Sequence, residues 1–149
     1  ILTGGVALGI MSLFNGVGRM IWGLVSDSVG RRVTLALMSV LSAAACGLLL
    51  PGAHTLGPLL TGICVVGFCY GGYLALMPAM TADFFGARNI GTNYGVLFSA
   101  WGAAGFVLPG YFAAKISATK SYDSTFLMLA GISLVTLAAV FVLRKPSRA

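Results

Sequence analysis

Asn15-Gly16-Val17-Gly18-Arg19-Met20-Ile21-Trp22-Gly23-Leu24-Val25-Ser26-Asp27-Ser28-Val29-Gly30-Arg31-Arg32 is the stretch that decides how this chain is read. Arg19 lies within an apolar run that extends from about Ile1 to Val25. Asp27 follows, and then Gly30-Arg31-Arg32 close the run. A guanidinium at hydrocarbon depth costs about 2.5–3.5 kcal/mol on insertion scales. A chain tolerates that cost where the charge meets a partner, an anionic ligand or water.

Composition supports hydrocarbon as the surroundings. Of 149 residues, 58% are hydrophobic and only 8% are charged. Soluble domains carry roughly 25% charged residues. So large a deficit leaves too little polar side chain to coat a water-facing surface, and the bilayer becomes the natural solvent. The 21 glycines are spread through the apolar runs, as expected of close helix–helix contact. The net charge of +6 comes from basic residues placed between the runs, without a patch, which argues against a nucleic-acid partner. The chain starts with Ile1 and has no basic, cleavable leader pattern, so it is expected to be a segment of something longer.

Five runs read as membrane spans, at about residues 1–25, 33–50, 59–82, 94–114 and 124–143, with a tail at 144–149. Each is near the roughly 20 residues that a helix needs to cross the hydrocarbon core. Helices are expected because every backbone donor and acceptor must be satisfied within its own segment, and the alternation of a β-barrel is not visible. The expected fold is therefore an all-α membrane protein of five transmembrane helices. Arg31, Arg32, Arg88, Arg144, Lys145 and Arg148 fall on one side, against Lys115 and Lys120 on the other. The excess of Lys and Arg makes the first side cytoplasmic, with the tail inside.

The first connection has its own chemistry. Asp27 is placed to pair with Arg31 or to accept from a helix N-terminus, and Gly30 supplies the freedom of a tight turn. The same charges also serve as a plain topology signal. The segment resembles the signature of the major facilitator superfamily at Gly23, Leu24, Ser26, Asp27, Gly30, Arg31 and Arg32. The family pattern has a basic residue directly after the acid, where this chain has Ser28, and the loop's charge network is expected to be weaker for it. Asn15-Gly16-Val17-Gly18-Arg19, Asp83-Phe84-Phe85-Gly86 and Asn93-Tyr94-Gly95 narrow the likeness to the oxalate/formate antiporter branch, related to monocarboxylate carriers. The resemblance implies a partial major facilitator fold, helices eight to twelve of twelve, with the N-terminal half of the same transporter as the missing partner.

Within that frame, Asn15, Arg19 and Gly23 share a helix face with Ser12 and Gly16 beside them. This stripe is expected to face protein or water. The resemblance implies that Arg19 binds a carboxylate, whose geometry suits the guanidinium fork. Pairing with an acid of the absent half and snorkelling to the cytoplasmic face are the alternatives. Trp101 stands where oxalate exchangers of this branch carry a lysine. One cation in place of two implies a singly charged anion, with packing as the other role open to Trp101. Tyr70 and Tyr73, among Gly67, Gly71 and Gly72, either close over a substrate and offer a hydroxyl donor or simply pack. Pro78 and Pro109 are expected to kink the third and fourth spans.

The remaining residues suggest little chemistry. Cys46, Cys64 and Cys69 lie inside apolar runs without metal-ligand spacing, and His54 reads as a solvated loop residue. Asp27, Asp83 and Asp123 all stand near helix ends, so no span offers a central proton-relay acid. No reactive cluster suggests an enzyme, and no cofactor or metal is expected. The sequence thus points to a secondary active carrier of small organic anions in the cell (inner) membrane, working by alternating access. Arg19 and Asn15 would hold the carboxylate, Tyr70, Tyr73 and Trp101 would shape the cavity, and Gly23, Asp27, Gly30, Arg31 and Arg32 would form the cytoplasmic loop motif. A carrier of drugs or sugars and a non-transporting membrane scaffold are the alternatives.

Overall fold

The structure, a computed structural model, describes residues 4–53 and 55–142. His54, Leu143, the first three residues and the tail 144–149 lie outside the described residues. Five helices follow one another: α1 (Gly4–Val29), α2 (Arg31–Ala44, prolonged by a π-helical turn at Ala45–Leu49), α3 (Leu56–Phe85), α4 (Ile90–Thr119) and α5 (Asp123–Val142). No strand occurs among the described residues. All five are long and apolar enough to cross a membrane. At about 1.5 Å per residue, the 30 residues of α3 or α4 reach about 45 Å, more than the roughly 30 Å hydrocarbon core.

The helices outrun the apolar stretches. The first continues through Ser26, Asp27 and Ser28 to Val29, and α4 continues through Lys115 to Thr119. Polarity marks where lipid ends, whereas a helix ends where the backbone is turned aside. Gly30, at φ 93° and ψ 152°, alone separates α1 from α2. Its N–H donates to the carbonyl of Ser26 (3.1 Å) and its own carbonyl accepts from Thr34 N–H (3.2 Å). A side chain is strained at that φ, so the loop motif's glycine is a geometric necessity. Pro78 and Pro109 both lie inside their helices.

Two apolar cores hold the helices together. The larger joins Trp22 of α1, Leu35 and Met38 of α2, Cys69, Leu76 and Met80 of α3, and Val140 of α5. The smaller joins Cys46 and Leu50 to Ala130 of α5. The fourth helix touches α3 and α5 but buries none of its residues among those described.

Candidate functional site

α1 and α3 cross almost backbone to backbone. A Cβ on Gly18 would strike the carbonyl of Phe68, and one on Gly71 would strike the carbonyl of Asn15 and stand 3.0 Å from the amide nitrogen of Arg19. A Cβ on Gly67 would come within 3.0 Å of the Met11 carbonyl oxygen. Small residues permit this approach, and dispersion across it replaces the hydrophobic drive that lipid does not supply. Trp22 completes the seam. It is buried, tilted against Phe68 at 5.4 Å, and its indole Nε1 has no partner among the described residues.

The seam divides the polar stripe of α1. Asn15 is half-buried against α3, whereas Ser12, Gly16 and Arg19 stay exposed. A Cβ on Gly16 or Gly23 would meet nothing within 4 Å. The Arg19 side chain makes no hydrogen bond or ion pair with any described residue, and it is exposed. Its main chain is nevertheless pinned at the crossing, which gives the side chain a rigid base.

On another face of α3, Tyr70, Tyr73, Leu74 and Met77 recur at helical spacing and form one wall of a cavity of about 470 Å³. The opposite wall comes from α4, with Tyr94, Leu97, Phe98 and Trp101 at the same spacing. Phe98 stacks on Trp101 at 4.8 Å and 24°, and Tyr94 leans on Phe98 at 5.4 Å. Ile132, Ser133 and Thr136 of α5 close the back. Of the five residues expected to meet the solute, Tyr70, Tyr73 and Trp101 share this cavity, while Asn15 and Arg19 do not line it. Tyr94, Phe98, Ser133 and Thr136 were not expected here. The spacing of Tyr94, Phe98 and Trp101 in the fourth run was the available signal.

The Tyr73 hydroxyl has a defined role. Ser39 of α2 is fully buried and donates to the Leu35 carbonyl at 2.9 Å. Its oxygen lies 3.4 Å from the Tyr73 hydroxyl, and either group can be the donor of that long bond. Tyr73 thus lines the cavity while its hydroxyl contacts Ser39 of α2.

At the Gly30 end, the loop motif binds four helices. Arg31 Nη1 donates to Asp27 Oδ1 at 2.7 Å and to Ser26 Oγ at 2.6 Å, while its Nε donates to Asp83 Oδ2 of α3 at 3.2 Å. Asp83 supplies from α3 a second acid beside Asp27. Arg32 donates to the carbonyls of Val140 (3.1 Å) and Phe141 (3.3 Å), the last turn of α5. A cation beside these main-chain carbonyls is a charge-assisted contact. At the opposite end, Asp123 Oδ1 accepts from Gly52 N–H at 3.0 Å, tying the α2–α3 turn to the start of α5. Among the described residues, no group of three or more His, Cys, Asp or Glu is placed to hold a metal ion.

The family model for the Major Facilitator Superfamily matches residues 2–149. The oxalate:formate antiporter of Oxalobacter formigenes is 32% identical over 151 residues, which cover 99% of this chain and 35% of that protein. Apicoplast pyruvate carrier 1 of Toxoplasma gondii is 31% identical over 136 residues, 89% of this chain and 24% of the carrier. Apicoplast pyruvate carrier 2 of the same organism is 33% identical over 98 residues, 64% of this chain and 14% of that carrier. The chain thus spans about a third of the first relative's length and less of the other two. No solved structure matches it.

Proposed function

Because this chain belongs to the major facilitator superfamily, we propose that it is the C-terminal part, helices eight to twelve, of a secondary carrier for small organic anions. The solutes are monocarboxylate-like, and transport proceeds by alternating access. The observation that carries this reading is Arg19. Its guanidinium stands on an apolar, membrane-length helix, rigidly based at the α1–α3 crossing and exposed, with no acid paired to it among the described residues. A planar fork of donors in that position suits a carboxylate. The relatives named for oxalate, formate and pyruvate support the solute class.

The roles follow. Arg19 holds the carboxylate and Asn15 orients it, while Tyr70, Tyr73 and Trp101 shape the adjoining cavity. Trp101 adds no second charge, which favours singly charged anions over oxalate. The Gly30 end is the cytoplasmic side, since it carries Arg31, Arg32 and Arg88. There the Asp27–Arg31–Asp83 cluster, with Gly23 and Arg32, latches the helix ends. The facing wall of the path comes from the other half of the transporter, so this segment alone does not transport.

The test is uptake by the full-length protein in proteoliposomes. Arg19→Lys keeps the charge but loses the fork, and uptake is expected to fall about tenfold or more. Arg19→Gln is expected to abolish it. Wild-type uptake by both variants overturns the role of Arg19. Oxalate competing as well as a small monocarboxylate overturns the argument from Trp101.

A further inference from the structure

No described residue aims the Arg19 side chain. It is exposed and makes no hydrogen bond or ion pair with any of them, so its direction is set by its main chain. A forked contact with a carboxylate depends on that direction. The side chain is long, and a small tilt at its base becomes a larger displacement at the guanidinium. That base is held by a buried glycine on each helix, Gly18 of α1 and Gly71 of α3. Gly18 precedes Arg19 and lies against the main chain of Phe68. A Cβ on Gly71 would strike the Asn15 carbonyl and stand 3.0 Å from the Arg19 amide nitrogen. In an α-helix that carbonyl and that amide are the two ends of one backbone hydrogen bond. Gly71 therefore covers the link between the two residues read above as holding the solute.

The other glycines of α3 in this seam are placed differently. A Cβ on Gly67 would meet Met11, about 12 Å along α1 before Arg19. One on Gly72 would meet the side chains of Met38 and Trp22. At Gly71 the obstacle is the main chain of α1, so even a methyl group is accommodated only by moving the helix that carries Arg19. We propose that Gly71 and Gly18 are positioning residues for the solute. They hold no ligand themselves; the side chains they lack set where the Arg19 fork points. The inference rests on the anion reading given above and adds what aims its binding residue. Close packing alone would make the glycines of the seam equivalent for transport, whereas positioning singles out the two at the base of Arg19.

The experiment is a double-substitution cycle read as uptake by the full-length protein in proteoliposomes, with labelled formate, acetate and pyruvate as probes. In Gly71→Ala the KM of the transported acid is expected to rise about tenfold, since a binding group displaced by about an ångström loses at least that much. In an Arg19→Lys background, which has already lost the fork, the same change is expected to raise KM less than about twofold. Gly18→Ala is expected to behave as Gly71→Ala does, and it decides the matter if Gly71→Ala does not fold. Gly67→Ala is expected to lower the unfolding midpoint yet leave KM within about twofold in both backgrounds. An unchanged KM in Gly71→Ala and Gly18→Ala overturns the positioning role. So does a rise that is equal in the two backgrounds, or one that Gly67→Ala reproduces. Arg19→Lys and Arg19→Gln at the unmodified protein's KM, or failure of all three acids to be taken up, overturns the anion reading instead.

Discussion

The third helix carries two seams of opposite character. Towards α1 it presents Gly67 and Gly71, and the two backbones touch. Towards α4 it presents Tyr70, Tyr73, Leu74 and Met77, and a cavity is left between the helices. The first seam has almost no freedom, because a backbone carbonyl stands where a side chain would begin. The second is made of side-chain surfaces with space left between them. One side of α3 is thus closed by backbone contact, and the other is left open between side chains. The fourth helix, which buries none of its residues among those described, belongs wholly to the second regime.

The contrast is breakable by substitution. The largest effect is expected at Gly71→Leu, where the new side chain meets the Asn15 carbonyl and must push α1 away. A loss of about 1–3 kcal/mol or more is expected, read as a lowered unfolding midpoint of the detergent-solubilised full-length protein. Gly95→Ala on α4 is the control, since a Cβ there meets nothing within 4 Å and the change is expected to stay within about 0.5 kcal/mol. A cost at Gly95 equal to that at Gly71 would mean that the glycine contacts with α1 are no tighter a constraint than an open position on α4.

Arg31→Ala comes next. It removes the donors to Asp27, Asp83 and the buried Ser26 hydroxyl together, and about 1–2 kcal/mol is expected in the same measurement. Asp83→Asn leaves the bonds to Asp27 and Ser26, and its cost is expected to be at most about 1 kcal/mol because the pair is partly exposed. If Asp83→Asn equals Arg31→Ala, the α3 contact rather than the α1 turn holds that end closed. The smallest effect is expected at Tyr73→Phe. It deletes one long hydrogen bond to Ser39, at about 0.5 kcal/mol, and leaves the ring in the cavity wall. A loss above about 2 kcal/mol would show that the hydroxyl holds α2 and α3 together.

Much of the fold could be read from the chain because lipid imposes simple rules. The apolar runs mark five helices, since a backbone in hydrocarbon must satisfy itself. Helix ends were less legible. The first run stops at Val25 by polarity, yet the helix persists to Val29, because Ser26 and Asp27 are as comfortable on a helix at the membrane edge as in a loop. The π-helical turn at Ala45–Leu49 gave no warning, since its residues are ordinary helix formers. The pairing of Asp27 with Arg31 was predictable from local spacing, whereas Asp83 joins them from 52 positions away along the chain.

The division between sequence and structure follows from the solvent. Composition and the loop motif by themselves settle that the chain crosses a membrane on five helices, and that Gly30 must turn between two of them. Which residues meet was decided only in three dimensions. In water, the polar stripe of a helix announces its outward face. In lipid, α3, α4 and α5 are apolar all round, so polarity no longer sets their rotation. Shape sets it instead: glycines allow one face of α3 to close on α1, and bulk holds the other away from α4. Until the helices are packed, no pattern in the chain places Tyr70 with Trp101, or leaves Arg19 out of the lining of the cavity they share.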